Sequence, residues 1–329
     1  MGFISATLGR FSPRHRTLDQ WTPIYAQLVA AQDICDKTRA NRRSYIRRIT
    51  EALGTRTIGA IRPHEIATLI ATISSDHPQL AVRVLVEART LFNAALENGW
   101  VDANPAMPVR KPIIKISRER LSLKQWQDIH DYADCCSPPW VSRMMALALV
   151  TGQRRGDLRK MRFSDVWDGH LHIEQEKTKA RVAIPLTLRL DEVGLSVLDV
   201  VEACRGYARL DGDSFLLRKT TGDMLSPASM SWRFEQAREG ALPPHKGVGT
   251  PPSLHECRSL AERLYREQGV NTMLLLGHTR QSMTDLYNKN RGKANPSDKW
   301  KSVPLPGAAH KLPVAFDSDT LSQNLKERP

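Results

Sequence analysis

A basic segment that contains three prolines divides the sequence into two parts of different character. It runs from residue 102 to 120 and reads DANPAMPVRKPIIKISRER. Pro105, Pro108 and Pro112 prevent a continuous helix here, because proline lacks the backbone N–H and clashes with the preceding turn. A chain of 329 residues is also longer than one typical domain. We therefore predict two folded domains joined by a linker at 102–120.

The part before the linker has helical periodicity. Four segments with a helical apolar pattern are separated by breaks at glycine and proline. Four short helices with short loops predict a compact helical bundle over residues 18–101, preceded by a loose N-terminus at 1–17. The predicted helices cover roughly 18–33, 38–53, 63–74 and 78–98.

The second of these helices is strongly basic, with six Lys or Arg and no acidic residue between positions 37 and 50. A solvated helix face usually carries both signs of charge, so this pattern favours a helix that contacts phosphates. The whole chain agrees, with 48 Lys and Arg against 35 Asp and Glu and a net charge of +13. The expected phosphate contacts are Lys37, Arg39, Arg42, Arg43, Arg47 and Arg48 in the helix, and Arg110, Lys111, Lys115 and Arg118 in the linker.

The part after the linker mixes helical and strand patterns. Two helices are expected first, and residues 164–186 then alternate as strands do. Asp168-Gly169 is a strong hairpin signal, and a second turn is expected at 177–180. Most of the remainder to Tyr287 is expected to be helical. The first two helices are predicted at 122–134 and 138–150, and a short further strand at 214–217.

The stretch SLHECR, residues 253–258, comes close to a zinc-protease helix. Such a site needs a second histidine four residues after His255, where this chain has Ser259. His255 and Arg258 remain, three apart on one face of a predicted helix with Ser253 as its N-cap. A guanidinium fork matches a phosphate in geometry and charge. We therefore expect no metal and no cofactor.

Five motifs follow one another in a fixed order in this second part. They are TGQRRGDLRKM at 151–161, a hairpin with Lys177, the HECR box, LLGHT, and Tyr287 nine residues after His278. Together they resemble the ordered signature of the tyrosine recombinases, the phage integrase family, and their details are similar to its lambda-like branch. The resemblance covers most of 120–290, and the helical region before it fits the core-binding domain of that family.

This resemblance implies a two-domain, mainly α fold. An N-terminal helical core-binding bundle would be followed by an α+β catalytic domain at 121–290, with a small antiparallel sheet. The resemblance also assigns the site residues. The implied catalytic residues are Arg154, Lys177, His255, Arg258, His278 and Tyr287, with Asp157 as a supporting brace.

The chemistry of these side chains agrees with the roles that the resemblance implies. A phosphotyrosine ester at Tyr287 retains the energy of the broken phosphodiester, so strands can be rejoined without ATP or metal. The phenol, with an ordinary pKa of about 10, must lose its proton as it attacks. His255 is the expected acceptor, and His278 is expected to hydrogen-bond the phosphate. Guanidiniums meet the charge on the phosphate oxygens, and Lys177 can protonate the departing 5′ oxygen.

The implied function is site-specific DNA recombination that integrates or excises a phage or other mobile element in the cytoplasm of a bacterial host. Type IB topoisomerase-like cleavage and resealing and Xer-type resolution are the alternatives. A catalytically idle DNA-binding protein is disfavoured by the complete set of pocket residues. The implied partners are double-stranded DNA at core-type attachment sites and a homotetramer in the synaptic complex. A DNA-bending accessory factor is left open, and no membrane is expected, because no apolar run is long enough to span one.

The two ends of the chain leave further questions open. Lambda-like integrases carry an extra N-terminal domain for arm sites, and the 17 residues before the first predicted helix are too few for one. Two explanations are consistent with this short N-terminal segment: the protein recombines simple core sites, or the chain is a shortened form. The tail at 291–329 is rich in proline and polar residues. A strand at 299–305 is expected to pair with a neighbouring subunit.

Overall fold

The computed structural model describes residues 16–114, 118–207, 214–245 and 249–285. The chain divides into two compact units, with the boundary between Ile116 and Ser117. Several predicted features lie outside the described residues. They are the loose N-terminus up to residue 15, Lys115, Tyr287, and the tail with its expected strand at 299–305.

The first unit is a helical bundle, as predicted. Among its described residues, four α-helices occur: α1 (Leu18–Ala30), α2 (Asp36–Leu53), α3 (Pro63–Asp76) and α4 (Pro78–Glu97). Pro63 and Pro78 each occupy the first position of a helix, where the missing N–H has no intrahelical partner to lose. A short 3-10 helix, Ile58–Ala60, connects α2 to α3.

The core of this unit lies between the apolar faces of the helices. Trp21, Ile49, Leu85 and Phe92 are completely buried there. The indole Nε1 of Trp21 donates to the Leu91 carbonyl at 3.3 Å, so its polar atom is satisfied inside the core. The apolar periodicity in the sequence therefore corresponds to the buried faces of the helices.

The first residues of the predicted linker pack onto this bundle. Val101, Ala106 and Val109 belong to its buried core. The Arg89 guanidinium on α4 donates to the carbonyls of Ala106 and Val109, at 3.2 and 2.6 Å. The prolines keep the segment irregular, as predicted, but residues 101–109 are anchored by these contacts.

The second unit combines helices with small antiparallel sheets. α6 is buried on nearly all sides and forms the centre of the unit, as expected for a helix that is apolar around its whole circumference. β1, β2 and β3 form one sheet in that order, and β4 pairs with β5. The elements are α5 (Leu123–Cys136), α6 (Trp140–Thr151), α7 (Arg155–Leu158), β1 (Val166–Trp167), β2 (His170–Glu174), β3 (Arg181–Pro185), β4 (Arg189–Leu190), β5 (Leu195–Ser196), α8 (Val197–Arg205), α9 (Pro227–Ala241), α10 (Glu256–Glu267), α11 (Thr272–Leu275) and α12 (Gln281–Asp285).

The hairpin signals are confirmed in this unit. Asp168 and Gly169 have φ of 49° and 68°, the left-handed geometry that a two-residue hairpin loop requires. They join β1 to β2, and a second turn joins β2 to β3 where it was expected. Lys179 takes φ of 56° within that second turn.

Two local predictions were wrong. The segment 214–217 forms only an isolated bridge, Phe215 with Arg162, because the backbone bends directly afterwards, at Leu216 and Leu217, whose side chains are buried in the core. Ser253 is not the N-cap of the HECR helix. α10 begins at Glu256, because a tight turn precedes it in which the Glu256 N–H donates to the Ser253 carbonyl at 2.8 Å.

Candidate active site

Helix α10 carries Arg258 into the interior of the second unit. Its apolar stripe, with Leu260, Leu264 and Tyr265, is buried. The Tyr265 hydroxyl donates to the Val150 carbonyl at 2.8 Å and so fixes α10 against α6. Arg258 is only 1% exposed, and this burial limits its side chain to one arrangement.

The Arg258 guanidinium is held by two loops. Nη1 donates to the Gly152 carbonyl and Nη2 to the Leu276 carbonyl, both at 2.7 Å. Nη2 also lies 3.0 Å from Nε2 of His278. The TGQRR turn and the LLGHT turn therefore meet around one guanidinium, although 119 residues of sequence lie between them.

Glycine makes this approach possible at two positions. Gly152 has φ of 63°, and a Cβ there would lie 2.9 Å from Cδ2 of Leu276. Gly277 has φ of 60°, and a Cβ there would lie 2.8 Å from Nε2 of Gln175. Both positions combine a left-handed backbone with close neighbours, which a larger residue would not tolerate without strain.

His278 connects Arg258 to the following helix. Its Nδ1 lies 2.9 Å from Oγ1 of Thr284, a fully buried residue of α12. Since the guanidinium can only donate, Nε2 accepts from Arg258 and Nδ1 carries the proton toward Thr284. Burial, and then the charges of Arg258 and Arg154, lower the pKa of His278 to about 4. The ring is therefore neutral near pH 7.

His255 sits at the N-terminus of α10 and reaches solvent. Desolvation by the surrounding protein lowers its pKa to about 4, and the charges of Arg258 and Arg154 act in the same direction. The ring is exposed, and the neighbouring guanidiniums disfavour a second positive charge on it. A neutral imidazole at this position can accept a proton.

Arg154 and Arg155 point to different neighbours. Arg154 is half-buried and donates from Nη1 to Oε1 of Gln175 at 2.7 Å. Arg155 is exposed and donates to the Ser231 hydroxyl of α9. Of these two arginines, Arg154 is the one whose charge helps to lower the pKa of both His255 and His278. Between Arg154 and Arg155, this geometry therefore favours Arg154 as the residue that joins Arg258 in the site.

Lys177 lies in the exposed turn between β2 and β3. The base of this turn is fixed by Asp157, which is 4% exposed and accepts from the Glu176 N–H through Oδ1 at 2.8 Å. Lys160 adds an ion pair to Glu176 at 3.4 Å. Asp157 therefore braces the turn that carries the lysine, in keeping with its expected supporting position.

The segment before Tyr287 is tied to the same cluster. Asp285 is the last described residue of α12, and its carboxylate lies 3.6 Å from the Arg266 guanidinium of α10. The preceding residue, Thr284, makes the hydrogen bond to His278 described above. Tyr287 itself lies outside the described part of the chain, two residues further on.

Three buried polar residues of the cluster were not predicted from the sequence. Gln153, Gln175 and Thr284 are each 2% exposed or less, and all contact motif residues or their loops. Their position next to motif residues was the one sequence signal. A polar side chain in such a place is expected to have hydrogen-bond partners, because burying it without them is costly. Their partners are distant in sequence, so the signal did not show what they hold.

The basic residues of α2 differ in whether their side chains are free to reach a phosphate or are already engaged within the protein. Arg42 is committed to the bundle: its guanidinium binds the buried Glu87 carboxylate at 3.0 Å and donates to the Tyr25 hydroxyl at 2.7 Å. Arg39 pairs with Asp36 at 2.7 Å. Arg48 is half-buried. The exposed predicted contacts are Lys37, Arg43, Arg47, Arg110, Lys111 and Arg118.

Two further properties of the described residues bear on function. None of their helices combines the length and the apolar character that crossing a membrane requires. They also hold no group of three or more His, Cys, Asp or Glu side chains arranged to bind a metal ion.

Known proteins share the motifs and the fold of this chain. The sequence model of the phage integrase family matches residues 119–293. Prophage integrase IntE of Escherichia coli K12 is 37% identical over 309 residues, 92% of this chain and 80% of that protein. The integrase of Escherichia phage lambda is 31% identical over 292 residues, 88% of this chain and 79% of that protein.

Solved structures give the same picture. A lambda integrase (75–356) dimer bound to a COC′ core site matches with a TM-score of 0.79 and 30% identity, covering 88% of this chain and 100% of that one. A lambda integrase tetramer bound to a Holliday junction matches with a TM-score of 0.79 and 29% identity, covering 88% and 81%.

Proposed function

Because this chain belongs to the phage integrase family and is a site-specific DNA recombinase, we propose that the cluster around Arg258 performs its strand cleavage through a phosphotyrosine at Tyr287. The observation that carries this assignment is the position of Arg258. Its guanidinium is held in advance by the Gly152 and Leu276 carbonyls, with His278 beside it and Arg154 near both imidazoles.

The proposed first step breaks one P–O bond and forms another. The phenol oxygen of Tyr287 attacks the phosphorus, and the neutral imidazole of His255 takes the phenol proton. The ammonium of Lys177 delivers a proton to the departing 5′ oxygen. The product is a 3′-phosphotyrosine and a free 5′ hydroxyl. Attack by a 5′ hydroxyl from the partner strand reverses the step and joins the exchanged strands.

Arg154 and Arg258 supply the electrostatic stabilisation in this proposal. Negative charge gathers on the non-bridging oxygens as phosphorus becomes pentacoordinate, and donors that are already in place meet it without reorganisation. His278 accepts from Arg258 in the free protein, so in this proposal it orients that guanidinium and would lie beside the bound phosphate. Asp157 and the turn it braces present Lys177.

We propose double-stranded DNA at core-type attachment sites as the partner, and four copies of the chain as the working unit. The lambda relative has been solved as a dimer on a core site and as a tetramer on a Holliday junction. We place the reaction in the cytoplasm of a bacterial host, because the curated relatives are phage and prophage integrases. Strand exchange assayed with and without a host extract tests for a DNA-bending accessory factor.

A suicide substrate tests the proposed chemistry. A core-type duplex with a nick next to the scissile phosphate loses its short 5′ fragment after cleavage, so the covalent protein–DNA adduct accumulates. Adduct formation together with strand exchange between two such sites supports the proposal. Relaxation of supercoiled DNA without any exchange between sites would support topoisomerase-like resealing instead, an alternative that the relatives do not favour.

Cleavage is expected to be unaffected by metal removal. The charge on the transition state is met by guanidiniums and the leaving oxygen by Lys177, so no step of the proposal uses a metal ion. Adduct formation should proceed at the same rate in excess EDTA and in magnesium buffer, measured on the suicide substrate. A strict magnesium requirement for cleavage itself would contradict the mechanism.

Charge reversal of the exposed face of α2 is expected to weaken half-site binding. Arg43 and Arg47 are exposed, one helical turn apart, and Arg47 has a long 3.6 Å pair with Glu51. In an Arg43→Glu, Arg47→Glu variant, the slope of log affinity against log salt should fall by about 0.9 for each lost phosphate contact. A gel-shift titration across salt measures it.

A charge-matched control distinguishes contact from general attraction. Arg62 and Arg83 are also exposed and belong to the same unit, so Arg62→Glu, Arg83→Glu changes its net charge equally. The α2 variant should lose more slope than this control. An unchanged slope in the α2 variant would mean that its arginines form only a solvated face.

A further inference from the structure

Gln175 is a completely buried amide two residues before Lys177. We infer that it is a positioning residue that fixes Arg154 relative to Arg258 and closes the turn that carries Lys177. This inference rests on the proposed function of those three residues. Gln175 would act through them and would not itself touch DNA.

The oxygen of the amide holds Arg154. Oε1 of Gln175 accepts from Nη1 of Arg154 at 2.7 Å and from the Thr178 hydroxyl at 2.6 Å. An arginine side chain has several rotatable bonds, and a charge-assisted hydrogen bond of this length restricts them. The half-buried guanidinium therefore has a defined position before DNA binds.

The nitrogen of the same amide reaches the loop that holds Arg258. Nε2 of Gln175 donates to the Leu276 carbonyl at 2.9 Å and to Oε1 of Gln153 at 2.8 Å. The Leu276 carbonyl also accepts from Nη2 of Arg258 at 2.7 Å. One amide and one carbonyl thus connect the two guanidiniums that are proposed to clamp the same phosphate.

The backbone of Gln175 closes the Lys177 turn. Its N–H donates to the Ala180 carbonyl, and its carbonyl accepts from the Lys179 N–H, both at 2.9 Å. Gly277 lies against the amide so closely that a Cβ would collide with it. The side chain therefore has a fixed place in the molecule. The residue that closes the turn of the proposed general acid, Lys177, also holds Arg154.

Two substitutions of Gln175 separate the contribution of the amide oxygen from that of the amide nitrogen. Gln175→Met has a similar volume but loses every side-chain hydrogen bond, so Arg154 loses its anchor. Gln175→Glu keeps an oxygen for Arg154 but loses the donor to Leu276 and Gln153 and faces their oxygens instead. We expect cleavage to decrease in the order wild type, Gln175→Glu, Gln175→Met.

The experiment measures the single-turnover rate of adduct formation at saturating suicide DNA, the half-site Kd and the unfolding temperature. Gln175→Met should lower the rate by roughly 10²-fold, the typical effect of misplacing a catalytic group by about 1 Å. The Kd should change by less than about threefold, because other cations bind the DNA. Gln153→Met is the matched control: it removes a neighbouring buried amide without touching Arg154, and its rate should fall much less.

A double-mutant cycle distinguishes positioning from a general loss of packing. If Gln175 acts through Arg154, then Gln175→Met should add little to the defect of Arg154→Ala. Additive effects, or a wild-type rate in Gln175→Met, would overturn the inference. If Gln175→Met does not fold, the same cycle is run with Gln175→Glu and decided in the same way. Absence of any adduct in the wild type would instead contradict the proposed function.

Discussion

Tyr287→Phe is expected to abolish covalent cleavage while DNA binding persists. In the proposed mechanism the phenol oxygen forms the new bond to phosphorus, so its removal would leave the site without a nucleophile. The remaining side chains of the site are unaffected, and the cations that bind the duplex are all retained. The rate of adduct formation should fall below detection, and the half-site Kd should stay within about twofold of the wild type, corresponding to ~0.4 kcal/mol.

A denaturing gel of labelled suicide DNA measures the adduct, and a gel shift on intact DNA measures binding. Tyr132→Phe is the matched control, since Tyr132 lies half-buried on α5 and takes no part in the proposed site. That variant should form adduct at the wild-type rate. A covalent adduct in Tyr287→Phe would mean that another residue is the nucleophile.

Arg154→Ala and Arg258→Ala should each lower the cleavage rate by ~10²–10³-fold, the usual effect of removing one preorganised donor. DNA affinity should fall far less, because each is one cation among the many that we propose contact the duplex. The two variants differ in their effect on stability. Arg258 is buried, and its removal leaves the Gly152 and Leu276 carbonyls without their guanidinium donor, so its unfolding temperature should fall more than that of Arg154→Ala.

Arg155→Ala is the control for the position of the first arginine. Arg155 has the same chemistry as its neighbour but is exposed and faces α9. Single-turnover cleavage, with binding and unfolding temperature measured in parallel, should show a small effect at Arg155 and a large effect at Arg154. A larger loss at Arg155 would mean that the roles of the two arginines are exchanged.

Local signals in the sequence were enough for most of the secondary structure. The prolines that begin α3 and α4 and the Asp168-Gly169 hairpin act within a few residues, through the fixed φ of proline and the positive φ that glycine and aspartate tolerate. The segment 214–217 has strand composition but pairs at a single residue, because the backbone bends at Leu216 and Leu217, which pack into the core.

The sequence by itself determined the family, the two-part organisation and the order of the site motifs, because these depend on residue types and spacings along the chain. Only the tertiary structure decided which neighbours each charged side chain meets. Arg42 has the sequence context of a phosphate contact, yet its partner Glu87 lies 45 residues away. Gln175 lies close to motif residues in the sequence, but nothing there shows that it meets the Leu276 carbonyl, 101 residues away. Such contacts form only when the fold brings distant loops within about 3 Å, the range over which a hydrogen bond acts.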